Sequence, residues 1–363
     1  MAAWTYQRRS SRAVPVGDVT IGGGAPVSVQ GMTKTHTVDA EATVAQIREM
    51  AEAGCQIARC AVPNHRAAEE LSAIKSGSPI PLIADIHFQP GLALKAIEEG
   101  VDGVRINPGN MEDGNGLRQI FNAAGERDIK VRIGVNSGSV RPRKGLEVDQ
   151  EAEEARQDMA QLMVNEATDC CRLAEDIGFR NIVLSLKGSD VTTTMRAYRI
   201  AARRTAYPFH LGVTAAGPPR ESIIKSSIGI GGLLAEGIGD TIRVSMTGPP
   251  VKEVEAGIRI LEALDLRERT GPEIVSCPTC GRCHMDLADV VREVQKRLEG
   301  MQTNVTVAVM GCVVNGPGEA AEADVGLAAG KEGGFIFRGG EKVRKVPASD
   351  LVEALVEEVE RLE

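Results

Sequence analysis

Aromatic side chains are nearly missing from this chain of 363 residues: one Trp, three Tyr and six Phe make up 3% of it. Nucleic-acid surfaces need aromatic stacking platforms and a basic face. The second is missing too, since 42 Lys and Arg stand against 50 Asp and Glu, a net charge of −8. The same balance argues against a cationic membrane-surface protein. No run approaches the roughly 20 apolar residues of a spanning helix. The first residues carry Arg8, Arg9 and Arg12 but no apolar stretch of the secretory kind. These absences predict a cytoplasmic protein with neither a nucleic-acid nor a membrane partner.

What is present is an ordinary globular composition, 42% apolar and 25% charged, with 40 Gly. A core without aromatics must be built from Ala, Val, Ile and Leu. At roughly 150 residues per domain the length allows two domains. The first 250 residues repeat one theme: a short β-branched run, a polar tip, then an amphipathic helical stretch. The predicted strands are Val27–Gln30, Ile57–Ala61, Leu82–Ile86, Gly103–Ile106, Val131–Val135, Ile182–Leu186, His210–Val213 and Thr241–Val244. Eight such units in about 250 residues match a closed (β/α)₈ barrel, with a doubly wound open sheet as the alternative. Asp265–Val275, charged and containing Gly271-Pro272, reads as a linker. Beyond it the pattern changes to a small α+β domain whose terminal helix starts at Ser349, a plausible cap. The expected domains are therefore an α/β barrel over 1–265 and an α+β domain over 266–363.

Residues at i and i+2 on a strand share a face. The tips then carry the pairs Asp85/His87, Arg105/Asn107, Ser185/Lys187 and Arg243/Ser245. They also carry the triples Arg132/Gly134/Asn136 and His210/Gly212/Thr214, with Arg59 in the second strand. A parallel barrel gathers these ends at one mouth. One Arg at a strand end ordinarily pairs with the next helix. A ring of Arg59, Arg105, Arg132, Lys187 and Arg243 on an acidic protein instead predicts a small polyanion, because guanidinium groups take phosphate bidentately. Asn107, His210 and Ser245 join the expected binding set, and Asp85, His87 and Asn136 are the candidate catalytic groups.

Four of the eight cysteines (Cys55, Cys60, Cys170 and Cys171) lie in apolar or helical text and read as small buried hydrophobes. The other four cluster late, as Cys277-Pro-Thr-Cys280-Gly-Arg-Cys283 and Cys312. Their spacing admits structural zinc and an iron–sulfur cluster. Two features favour iron–sulfur: there is no second Cys-x₂-Cys knuckle, and a turn-rich stretch returns the carboxylate of Glu319 seven residues after Cys312. With zinc the chain would be a non-redox barrel enzyme on a phosphorylated substrate, or a zinc-held nucleic-acid module.

Several stretches together resemble one family. They are Val29-Gln30-Gly31-Met32-Thr33, Ala84-Asp85-Ile86-His87-Phe88, Arg105-Ile106-Asn107-Pro108-Gly109-Asn110, Arg132-Ile133-Gly134-Val135-Asn136, Gly237-Ile238-Gly239-Asp240, Cys277-Pro-Thr-Cys280 and Gly311-Cys312-Val-Val-Asn-Gly-Pro-Gly-Glu319. The family is hydroxymethylbutenyl diphosphate synthase of the non-mevalonate isoprenoid pathway, in its compact two-domain bacterial form. The resemblance implies a two-electron reductive ring opening of methylerythritol cyclodiphosphate with loss of water. It also implies a [4Fe–4S] cluster on Cys277, Cys280, Cys312 and Glu319, the last counted among the catalytic groups. A reduced ferredoxin or flavodoxin is the implied donor, and a head-to-tail homodimer the implied assembly. Two positions depart from the family pattern. Cys283 adds a third thiol to the local run, an alternative to Glu319 as the fourth ligand though the resemblance keeps Glu319, and Ala215 stands where the pattern reads Thr-Glu-Ala-Gly, so slowed turnover is expected.

Overall fold

The β-branched runs form a parallel sheet of eight strands, β3 to β10, preceded by a small hairpin of β1 (Val14–Val16) and β2 (Val19–Ile21). The eight are β3 (Ser28–Met32), β4 (Ile57–Ala61), β5 (Leu82–Asp85), β6 (Gly103–Ile106), β7 (Lys130–Asn136), β8 (Ile182–Lys187), β9 (His210–Leu211) and β10 (Thr241–Ile242). Their spatial order, β8-β7-β6-β5-β4-β3-β10-β9, closes through a parallel bridge between Leu184 and Phe209. A barrel results, and the open-sheet alternative falls away. The computed structural model describes residues 7–111, 114–140, 159–283, 285–312 and 314–362. The helix between β7 and β8 is described over Met159–Glu175.

Local chemistry sets the helix starts. Asp39 caps Ala40–Glu52 through the Ala42 N–H at 3.0 Å, and Asp190 caps Val191–Ala202 through Thr193 at 2.7 Å. The seam of the barrel is held by Tyr198, whose hydroxyl donates to the His210 carbonyl at 2.6 Å and accepts from the Leu186 N–H at 3.0 Å. The hairpin β1–β2 went unpredicted. Its Val14, Val16 and Ile21 pack on Ile57, Ile83 and Val183 at the N-terminal ends of barrel strands, and Gly17 turns it at φ +57°. Cys55, Cys60, Cys170 and Cys171 are buried, as expected, and burial pushes the thiols of Cys55 and Cys60 up to about 11 and about 12.

The chain divides into two units, Met1–Arg267 and Glu268–Glu363. The second is built on a mixed sheet of order β11-β12-β13-β14-β15, comprising Glu273–Ser276, Thr306–Met310, Val325–Gly330, Gly333–Arg338 and Glu341–Pro347. The end of the expected linker is thus a strand, β11, which pairs in parallel with β12. Helices Leu287–Leu298 and Leu351–Glu360 cover the sheet face carrying Val307, Val309 and Leu327. Helix Gly316–Glu322 packs on the other face, against Ala308, Met310 and Ala328. Ser349 does not cap the last helix; its hydroxyl bonds to Asp350, and Asp350 holds the cap position. No helix among the described residues is long and apolar enough to cross a membrane.

Candidate active site

The barrel interior is built of charge where a barrel usually carries Val and Leu. Parallel register places Asp85 beside Arg105, Arg105 beside Arg132, and Asn136 beside Lys187. Arg59, Arg105 and Arg132 are all buried, Arg132 to 1% exposure, and Lys187 is 9% exposed. Arg105 donates to Asp85 at 3.2 Å and to the Gly134 carbonyl at 3.1 Å, and its guanidinium lies 2.9 Å from His87 Nε2. Arg59 approaches the other Asp85 oxygen at 3.8 Å. Burial alone would raise the Asp85 carboxyl, but Arg59, the His87 hydrogen bond and Arg105 hold it well below the usual carboxylate range. Arg132 donates to Gln30 Oε1 at 2.7 Å. Arg243, on the turn after β10, pairs with Glu253 at 3.0 Å.

Glycines make the crowding possible. A β-carbon on Gly134 would stand 2.5 Å from Arg105 Nε, and one on Gly212 would stand 2.5 Å from Lys187 Nζ. The alternation of a small residue with a long cation at these tips is thus a packing solution: each cation lies across the bare backbone of the next strand.

The predicted mouth residues do come together, with one displaced downward. His210 pairs with Thr241 in register and lies one layer deeper than Arg243. It is fully buried, and neither ring nitrogen has a hydrogen-bond partner. Asn107 is buried and accepts from Ser139 at 3.3 Å, while Asn136 and Ser245 are half-buried. Beside Asp85 and His87 opens a cleft with an apolar wall of Val62, Pro63, Phe88 and Leu92. Sequence reasoning missed Gln30, Lys34, Lys130 and Glu253. Glu253 had a signal: it is a carboxylate within the apolar stripe Pro250, Val254, Gly257 and Leu261, and it is buried to 1% exposure while meeting Arg243, Lys34 and the Met246 N–H. Lys130 shares the Arg132 face of β7 and lies over Gly103.

In the second unit, Cys277 follows β11 and Cys312 follows β12, the neighbouring strand. The Gly311 N–H donates to Cys277 Sγ at 3.4 Å, and Cys283 Sγ packs where Gly311 has no side chain. Cys280 is exposed, on a turn where Thr279 takes φ +52°, a strained conformation for a β-branched residue. Backbone N–H groups of Asn315, Val314 and Gly316 hold the Cys312 thiol below its ordinary value. Glu319 sits in the first turn of the helix Gly316–Glu322; the stretch expected to be only a turn is that helix. Among the described residues no three His, Cys, Asp or Glu side chains converge closely enough to hold a metal ion. The donor set nevertheless fits an iron–sulfur group in kind: thiols following adjacent strands, one of them held below its ordinary value, and the carboxylate of Glu319 on the short helix after Cys312.

Comparison with known proteins covers both units. Residues 11–258 match the GcpE TIM-barrel domain, and residues 273–361 match the GcpE protein C-terminal domain. The chain is 52% identical over 355 residues to the 4-hydroxy-3-methylbut-2-en-1-yl diphosphate synthase (flavodoxin) of Geobacter sulfurreducens, covering 98% of each chain. It is 49% identical to the enzyme of that name from Clostridium perfringens, covering 98% of this chain and 99% of the relative. It is likewise 49% identical to that of Aquifex aeolicus, covering 98% of each.

Proposed function

This chain belongs to the GcpE family, and from that premise we propose how its parts carry out the family's reaction. The reaction is the reductive conversion of 2-C-methyl-D-erythritol 2,4-cyclodiphosphate to 4-hydroxy-3-methylbut-2-enyl diphosphate, in the non-mevalonate route to isoprenoids. The protein is an iron–sulfur oxidoreductase on a TIM barrel. Membership removes the non-redox zinc enzyme and the nucleic-acid module.

The observation that carries the assignment of parts is the excess of buried cations over carboxylates in the barrel. Arg59, Arg105, Arg132, Lys187 and Arg243 are met by only two carboxylates, Asp85 and Glu253, among the described residues. That imbalance is costly unless an anion joins it. The substrate's diphosphate sits in this ring, with Asn107 and Ser245 donating at its edge. Asp85 holds Arg59 and Arg105 in place. His210 belongs to the floor under the diphosphate and orients rather than contacts it. His87 and Asn136 face the part of the mouth where the carbon skeleton lies, with Phe88 and Leu92 as its apolar wall. A hydroxyl leaves as water, so a proton must reach it, and His87 is placed to hold one.

Cys277, Cys280, Cys312 and Glu319 would hold a [4Fe–4S] cluster, which when bound supplies the electrons singly. Among the described residues these groups do not yet converge on one point, so binding would draw them together. Cys283 packs at Gly311 and serves the fold, leaving the fourth position to Glu319. A reduced flavodoxin or ferredoxin is the electron donor. Two copies pair head to tail, each barrel receiving the partner's cluster domain; the exposed Ile223, Ile224 and Ile228 offer an apolar surface for pairing.

The test is anaerobic purification followed by metal analysis and assay with the cyclic diphosphate and a strong one-electron reductant. Brown protein with about four irons per chain and dehydrated diphosphate product are expected. Colourless protein with stoichiometric zinc overturns the reading.

A further inference from the structure

The mouth cations are not alike in their company. Arg59 and Arg105 have Asp85, Arg132 has Gln30, and Arg243 has Glu253. Lys187 has none of these. Its ammonium position lies over Gly212, just after β9. The groups that face it are Arg132 and Asn136 from β7, Arg105 from β6, Arg59 from β4, Arg243 just after β10 and His210 from β9, with Lys130 deeper in the barrel. The carboxylate of Asp85, on β5, is already shared between Arg59 and Arg105, with His87 beside it.

We propose that Lys187 is a ligand-charged residue: uncharged in the free barrel, it takes up a proton when a diphosphate enters and becomes the cation that selects for a second phosphate. The proposal rests on the placing of the substrate given above.

The physical case is one of balance. An ammonium buried among guanidinium groups, with no carboxylate partner among the described residues, loses its hydration and gains mainly repulsion. Lysine can answer by releasing its proton, whereas arginine cannot at any ordinary pH. Burial, and then Arg59, Arg132, Arg243 and Arg105, pull Lys187 well below its ordinary value; burial and neighbouring cations do the same to Lys130 and His210. A dianion placed in the ring reverses the sign of the local field and restores the proton. The empty barrel thereby avoids part of its own repulsion, and a ligand with one charge gains less than a ligand with two.

The sign of the pH effect follows. Between the free and bound values of Lys187, the complex holds one more proton than its components, so affinity falls as pH rises, by about tenfold per unit. Below the free value the affinity levels off. The substrate is well suited to this measurement. Each phosphorus of a cyclic diphosphate bears a single ionisable oxygen, already deprotonated in the neutral range, so any proton that moves belongs to the protein.

The experiment is calorimetric titration of the full-length holoenzyme with the cyclic diphosphate, without reductant, in buffers of differing ionisation enthalpy from pH 6 to 9. Wild type is expected to take up about one proton per ligand bound, with the tenfold-per-unit loss of affinity toward alkaline pH. Lys187→Arg should bind with little proton uptake and a flat pH profile. Lys187→Met should bind weakly with little uptake. Binding by wild type without proton uptake overturns the proposal alone. Uptake that persists unchanged in both variants moves the proton to another group and overturns the assignment to Lys187. Failure of wild type to bind the cyclic diphosphate at every pH overturns the placing of the substrate, and this proposal with it.

Discussion

The barrel mouth and the cysteine edge of the second unit prepare opposite charges for opposite guests. In the barrel, burial and neighbouring cations pull basic groups below their ordinary values, as at Lys187 and His210. At the cysteine edge, backbone N–H groups draw a thiol toward its anion, as at Cys312. The first region suits an anion and the second a cationic metal centre. They differ as much in rigidity of construction. The mouth residues are buried on strands, braced by Asp85, Gln30 and Glu253 and seated on glycines. The cysteines stand on turns, one of them exposed, and no three acidic or thiol donors are yet within reach of one point among the described residues. A rigid site binds its ligand without reorganising, whereas a loose one is closed by the metal it binds.

The largest effects should come from breaking the loose region. Ser at Cys277, Cys280 or Cys312 should abolish cluster assembly, since each removes a thiolate that the local structure cannot replace. Ser at Cys283 should leave iron content intact, because that sulfur fills a gap at Gly311. Iron content and the visible spectrum of anaerobically purified protein check both. A cluster lost in Cys283→Ser but kept in Cys312→Ser would overturn the ligand assignment.

Next in size are the arginines of the rigid region. Met at Arg105, Arg132 or Arg243 should weaken binding of the cyclic diphosphate by about 10- to 100-fold, the loss of a charge-assisted bond of ~1.5–3 kcal/mol. Iron content should not change. The comparison sharpens at Lys130, a cation under the ring and not in it. Lys130→Met relieves buried repulsion, so it should raise the melting temperature of the ligand-free protein by a few degrees while costing less affinity than any of the three arginines. Calorimetric binding and thermal unfolding decide this. A fall in melting temperature would show that Lys130 is held by partners and not merely tolerated.

Much of the rigid region was legible in the sequence because its logic is periodic. Alternation puts i and i+2 on one face, and strand ends in a parallel barrel meet; Asp85, Arg105, Arg132 and Lys187 followed from those two rules. The braces did not follow. Glu253 looks like a solvent-facing helix residue until its place in the apolar stripe is noticed, and Gln30 lies in a strand tip with no charge to mark it. The hairpin Val14–Ile21 was missed because three-residue strands interrupted by Pro15 carry too little pattern. The strand β11 was missed because Ile274 and Val275 sit in charged, Gly-Pro-containing text. In the loose region, composition revealed the donor types but not their arrangement, since turns leave no periodicity to read.

Between the two extremes lies Ala215, an exposed residue on the rim after β9 with φ +49°. The family resemblance reads Thr-Glu-Ala-Gly here, and if that glutamate acts as a positioned acid beside the mouth, restoring it should speed the reaction. A general acid contributes about 10²–10⁴ in rate. Ala215→Glu should raise turnover by about tenfold, with iron content and substrate affinity little changed. Steady-state kinetics test it, and an unchanged or lower kcat sinks the idea. The backbone strain is the same for both residues and does not confound the comparison.

The smallest effect expected is the pH dependence that the buried interior imposes on stability. Burial, and then Lys187, Arg132 and Arg59, hold the His210 imidazole well below its ordinary value. Its folded value is therefore depressed relative to the unfolded chain. Above about pH 6.5 both states are neutral at this group and it contributes no slope. As pH falls below that point, the unfolded chain binds a proton that the folded barrel refuses, so stability declines until the folded value is reached. Asp85 is also depressed, but as an acid it loses its contribution only further down, below about pH 4. The window from pH 6.5 to 4.5 thus separates the histidine from the carboxylate, and the His210→Leu comparison separates it from the buried lysines. Urea unfolding of His210→Leu should show a shallower decline than wild type in that window, by up to about 1.4 kcal/mol per pH unit. Parallel curves would mean that His210 gains its proton within the fold, and that the barrel floor is better hydrated than its unpartnered ring nitrogens imply.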